Sequence, residues 1–181
     1  MNKIIATVLS LFILMSFSGC VKYEDAPTIT EGEFPFVFEY EIDGQRYLIE
    51  DTVVCRYNGY DESNPFPLVT RRRSWYEVLN SGEEGKRLML HLGYNSESLL
   101  VEGRINVESY VNFHYGFGGY YLGDPNCVNE GPCIRYVEHY KTSEKVTHIK
   151  KTKLTNEQLE KLFGIKIIRF EFSKPIENTF E

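Results

Sequence analysis

The sequence lacks most of the features that announce a chemistry. It has no GxSxG elbow, no HExxH, no Walker loop and no dinucleotide fingerprint. The glycines of YGFGGYY (Gly116, Gly118, Gly119) precede no helical pattern, so a phosphate cradle has no structural context there. Long Ala/Leu/Glu/Lys stretches, internal repeats and low-complexity segments are absent. Basic residues are outnumbered, 20 against 26 acids for a formal charge of −6. That balance argues against sequence-independent nucleic-acid binding, which needs clustered cations to displace counterions. There are four histidines (His91, His114, His139, His148), and none has a second histidine or cysteine at short ligand spacing. No metal and no cofactor is therefore expected. A set converging in space, His91 and His114 with Asp124 or Glu138, and a Cys-His pair using Cys55 are the weaker alternatives.

The N-terminus, in contrast, is strongly patterned. Met1-Asn2-Lys3 is a short basic start, and the run Ile4 to Phe17 carries no charge, Pro or Gly. It is too short for a comfortable membrane span and suits the apolar core of an export signal. Ser18-Gly19 then stand directly before Cys20. This order resembles the lipobox of bacterial lipoprotein precursors, over residues 1–20 only. The resemblance implies cleavage before Cys20 and a diacylglycerol on its sulfur. It also implies an extracytoplasmic protein held on the cell membrane by its lipid, since two acyl chains suffice for stable anchoring without a spanning helix. Without residues 1–19 the chain has 162 residues, and loss of Lys3 leaves 19 bases against 26 acids, a charge of −7.

The body reads as one β-rich domain. Residues 20–33 are expected as the lipidated cysteine and a polar tether, with the domain at 34–181. Phe34, Phe36, Phe38, Tyr40 and Ile42 alternate with less apolar neighbours, and Asp43-Gly44 predicts a hairpin into a second run over 47–57. Asn58 to Pro67 reads as a loop. Ser74 and Glu77 have capping-box spacing before Trp75, Val78 and Leu79, predicting a short helix near 75–80. Strands are expected at 87–92, 99–105, 107–115, 133–141 and 146–152, with 116–132 a long loop and 142–145 a turn. Lysines 145, 150, 151 and 153 suit an exposed edge. Thr155 with Gln158, Leu154 with Leu159, and Gly164 specify a helix near 155–163, followed by a last strand over 165–172 with Ile168, Phe170 and Phe172 on one face. The fold class is α+β, β-dominated: an antiparallel sheet or sandwich with two helices.

Three features are candidate sites. Arg71, Arg72 and Arg73 could grip a phosphate or carboxylate, although short charge runs are mostly solvated surface, here balanced by Glu77, Glu83 and Glu84. Export would let disulfides persist, and Cys127 with Cys133 is the expected pair, Gly131-Pro132 turning the chain between them. The odd count also admits Cys55 with either partner, or three reduced thiols. Tyr115, Phe117, Tyr120 and Tyr121 crowd a glycine-rich segment. They form either an aromatic platform or the plug at the end of a sheet. The function expected is an envelope binding or interaction module contacting glycan, peptide or another envelope protein. The alternatives are an envelope hydrolase with a site assembled from distant residues, and a purely structural component.

Overall fold

The computed structural model describes residues 21–62, 70–82, 88–141 and 147–181. Residues 1–20 with Cys20, residues 63–67 of the 58–67 loop and the 142–145 turn lie outside them. The strands are β1 (Glu31–Ile42), β2 (Gln45–Tyr60), β3 (Arg73–Leu79), β4 (Met89–Glu97), β5 (Ile105–His114), β6 (Cys133–Lys141), β7 (Thr147–Lys153) and β8 (Lys166–Phe172). The helices are α1 (Gly118–Tyr121), a single turn, and α2 (Asn156–Phe163). They build two antiparallel sheets, ordered β3-β2-β1-β8 and β4-β5-β6-β7.

The alternation in β1 sets the core. Phe34, Phe36, Phe38 and Tyr40 are buried, and the alternate residues Pro35, Val37 and Glu39 are more exposed. Asp43 and Gly44 both take positive φ (51° and 75°), so the hairpin closes with Ile42 opposite Gln45. In the second sheet Val107, Ser109, Val111 and Phe113 point inward with Ile134, Tyr136, Glu138 and Tyr140. The sheets meet face to face, with the Phe38 and Phe113 ring centroids 4.3 Å apart. Burying each such ring contributes about 1.5–3 kcal/mol. As its sequence specifies, α2 carries a capping box at Thr155 and Gln158, a left-handed cap at Gly164 and a fully buried Leu159.

Four local expectations are corrected. The segment 75–80 is not helical: Trp75 pairs with Tyr57, and Glu77 with Cys55, as part of β3. Glu77 accepts the Gly118 N–H (3.1 Å) rather than one at its own N-terminus, and the aromatic and β-branched Trp75, Tyr76 and Val78 suit a strand. Leu99–Val101 is a turn, because Ser98 Oγ and the Leu99 N–H donate to the buried Glu138 carboxylate and fold the chain about it. A register shift between Glu39 and Tyr40 places Ile167, not Ile168, against the core with Phe170 and Phe172. The glycine-rich loop does contain a helical turn, α1, although one turn leaves no N-terminal anion site.

Residues 22–33 do not hang free as a tether. The Arg71 N–H donates to the Lys22 carbonyl (2.7 Å), and Ala26 and Thr28 donate to Glu181 and Thr179 near the C-terminus. Arg73 secures this segment. Its guanidinium donates twice to Asp124, Nε to Oδ2 at 2.8 Å and Nη2 to Oδ1 at 2.7 Å, while Nη1 donates to the Asp25 carbonyl. Glu24 accepts the Arg73 and Asn126 N–H groups, and Trp75 Nε1 donates to Asp124. Both side chains of the pair are almost fully buried (5% and 2% exposed). Burial opposes the Asp124 charge. Arg73, the Asn126 N–H and Trp75 outweigh it and hold the carboxyl below its usual range. A polar composition with a proline reads as a tether; the carboxylates that dock it are legible only once their partners are in place.

Candidate functional site

Of the two readings of 115–121, platform or plug, the structure takes the plug. Tyr121 is fully buried and stacks on Phe34 with centroids 4.7 Å apart. Tyr120 packs against Tyr121 and lies so close to Gly131 that an added Cβ there would meet its ring at 2.8 Å. Tyr115 is half-buried, and Phe117 alone of the four counts as exposed. These rings plug the sandwich. Gly119 permits this packing, since a Cβ would stand 2.7 Å from both Trp75 Nε1 and Cys127 Sγ.

The remaining candidates also fall to structural roles. Cys55, Cys127 and Cys133 are free thiols, so the expected Cys127–Cys133 bridge is absent. The Cys127 sulfur is turned toward Gly119 and Trp75, while Cys133 heads β6 opposite His114. Burial pushes the Cys55 thiol up to about 12 and Cys127 to about 11, with Glu77 reinforcing the first and Asp124 and Glu130 the second. Neither is a nucleophile at neutral pH. Arg73 is neither solvated nor an anion grip, being spent on Asp124. The carboxylates weighed as metal partners are likewise occupied: Asp124 by Arg73, and Glu138 by Ser98, Leu99 and Tyr136. Among the described residues no group of three or more His, Cys, Asp or Glu could hold a metal ion.

An aromatic face lies elsewhere, on the outward side of the second sheet. The residues of β5 between the core positions, Glu108, Tyr110, Asn112 and His114, point away from the core. Strand register carries this phase across the sheet. His91 stands opposite Tyr110, Tyr94 and His139 flank Glu108, and Arg135 lies between Asn112 and Lys153. The rings are in contact: His91 to Tyr110 at 5.0 Å, Tyr110 to His139 at 5.1 Å, and His91 to Tyr94 edge-on at 6.1 Å. Glu108 sits among them. Its carboxyl is held below the usual range, first by the Tyr110 hydroxyl, with His91, Tyr94 and His139 acting in the same sense against desolvation. The Tyr110 hydroxyl is correspondingly pushed up to about 12 by that hydrogen bond. Around this row Tyr94 (74%), Ile149 (60%) and Met89 (46%) are well exposed.

Two hollows adjoin the row. A cleft of about 520 Å³ opens beside β3 and is lined by Glu77, Leu88, Phe113 and Tyr115, with Met89, Asn112 and His114 also belonging to the outer face. A second, of about 400 Å³, is lined by Asn129, Glu130, Arg135, Lys151, Thr152 and Lys153. Burial raises the Glu77 carboxyl, partly offset by the Gly118 N–H. Burial lowers His114 to about 4, aided by the positive charges of Arg135, Lys151 and Lys153. His114 Nδ1 accepts the Gly116 N–H (2.9 Å), so its Nε2 carries the proton.

Inward alternation marked the core, and the complementary phase of the same strands is this face. Glu108-x-Tyr110-x-Asn112-x-His114 and Arg135-x-Val137-x-His139 are the signal. The register shift between His91 and Gly93, which brings Tyr94 into line with His91, has no sequence signature beyond Gly93 itself. No protein-family model matches this chain, and no curated protein and no solved structure matches it either.

Proposed function

We propose that this protein is a lipid-anchored extracytoplasmic binding module that engages its ligand through the outer face of the second sheet. The observation that carries the reading is the contiguous His91–Tyr110–His139 row with the exposed Tyr94 beside it. Aromatic side chains offer large rigid area with a polar tip, which suits contact surfaces. The N-terminal order of basic start, apolar run and Ser-Gly-Cys supports the anchor. No helix among the described residues is long and apolar enough to cross a membrane. Lys22, two residues beyond Cys20, is already hydrogen-bonded to Arg71. An acylated Cys20 would therefore seat the body close to the lipid. The docked segment bonds to β3, to the 124–126 turn and to the C-terminal tail, leaving the aromatic face clear.

The hydrolase reading has less support. Glu77 and His114 both line the larger cleft, but each is set by other neighbours, and the imidazole Nδ1 is occupied by Gly116. A general acid–base pair needs hydrogen-bond reach.

Two measurements test the proposal. Labelled fatty acid should enter the wild-type protein in its host and not Cys20→Ala. Tyr94→Ala with Tyr110→Ala should lose retention on isolated envelope material while keeping the thermal midpoint. Unchanged retention in that double variant refutes the face, and unlabelled wild type refutes the anchor.

A further inference from the structure

Resting on that reading of the face, we infer that its ligand is an anionic polysaccharide of modest charge density: sugar rings lie along the aromatic row, and carboxylate or phosphate substituents reach the Arg135–Lys151–Lys153 hollow.

The charge distribution points to an anion. The chain is acidic overall, yet one corner of one face collects Arg135, Lys151 and Lys153, with Lys141 on the same outward phase and Lys150 on the adjacent edge. Register places Lys153 directly across from Arg135, and Lys151 across from Val137. Among the described residues neither Lys151 nor Lys153 has an ion-pair partner, and the Arg135 pairing to Glu130 is long at 4.0 Å. The one carboxylate amid the rings, Glu108, is engaged by His91 at 3.3 Å and by tyrosine hydroxyls. An approaching anion therefore meets cations that have not been neutralised from within. Guanidinium and ammonium groups together suit carboxylate and phosphate oxygens.

The geometry points to a sugar chain. Tyr110, Val137 and Lys151 share a row across β5, β6 and β7. Two strand spacings put the backbones of Tyr110 and Lys151 about 10 Å apart, within the span of a short oligosaccharide. A strand-adding peptide beside the cationic hollow would pair with the edge of β7, which is guarded by Lys150, a residue type that discourages pairing. A nucleic acid, with one charge per about 1.7 Å of duplex, would meet the −6 chain with few cations to release counterions. A glycan bearing one charge per repeat suits a small cationic corner beside uncharged rings.

The test uses the full-length protein in detergent micelles, titrated calorimetrically with hyaluronan oligosaccharides (one carboxylate per repeat), neutral dextran oligosaccharides and single-stranded DNA. Hyaluronan should bind best. Lys151→Gln with Lys153→Gln should weaken it about tenfold, and raising the salt several-fold should weaken it in the same sense. Tyr110→Ala should weaken it similarly, with Tyr110→Phe restoring affinity and so excluding misfolding. Dextran binding as tightly as hyaluronan overturns the anionic assignment and leaves the face standing. Tighter DNA binding overturns the sugar assignment. No binding of any probe, with envelope retention still sensitive to Tyr94 and Tyr110, also overturns the inference. Retention and binding both indifferent to Tyr94 and Tyr110 overturn the face itself.

Discussion

The outward faces of the two sheets are equally exposed in pattern and opposite in chemistry. On the first sheet Glu31, Glu39, Glu41 and Glu171 stand beside Arg46, Arg56 and Arg169, and the charges pair within the face. Arg169 lies 2.7 Å from Glu171, Arg46 lies 3.3 Å from Glu41, and Arg56 lies 3.7 Å from Glu31. Such a lattice keeps a sheet solvated and leaves little for a ligand to satisfy. On the second sheet the same strand phase carries rings in contact around one carboxylate, and a corner where Lys151 and Lys153 have no acidic partner among the described residues and Arg135 only the distant Glu130. A face whose polar groups are matched internally serves solubility; one that holds apolar rings and unmatched charge in water serves contact. The two carboxylates nearest α1 repeat the contrast. Asp124 is saturated and buried, while Glu77 accepts one backbone N–H at the wall of a cleft.

The largest expected effect lies in the buried pair. Arg73→Ala leaves Asp124 without its partner and should cost about 3–5 kcal/mol in denaturant unfolding. It should also free residues 22–30 to protease before the body unfolds. Arg46→Ala and Arg169→Ala on the first face should each leave the denaturation midpoint almost unchanged by the same measurement, because exposed ion pairs contribute little. A large loss at Arg169 would mean that this face is more than a solvated lattice.

His114 gives an effect that depends on pH. Its folded pKa is depressed from 6.5 to about 4, so as acid is added the unfolded chain takes up this proton first. The stability attached to it is complete above 6.5 and is lost as pH falls toward 4. His114→Gln should remove that part of the decline in urea midpoint between pH 6.5 and 4, and an unchanged slope would place the titration elsewhere. At the face itself, Tyr94→Ala should weaken envelope retention severalfold yet shift stability by no more than about 0.5 kcal/mol, as expected for an exposed position.

Where local chemistry decides, the sequence was legible. Asp43-Gly44 requires positive φ, the Thr155 capping box satisfies orphan donors within one turn, and β1 alternates against a single core. The errors occur where distant partners decide. Ser74-x-x-Glu77 has helix-start spacing, but pairing with β2 and the N–H of Gly118, 41 residues away, draws Glu77 into a strand. The segment 99–101 is bent by Glu138, 39 residues beyond Leu99. The aromatic cluster at 115–121 was conspicuous because it is contiguous. The row His91–Tyr110–His139 was not, because its members come from three strands and meet only through register.

The most direct test of the face is hydroxyl-radical footprinting of the full-length protein with and without isolated envelope material. Tyr94, Met89 and His91 should be protected, while Leu48, 58% exposed on the outer side of the first sheet, should keep its free reactivity. Protection of Leu48 with Tyr94 and Met89 left reactive would contradict the assignment and move the contact surface to the opposite face.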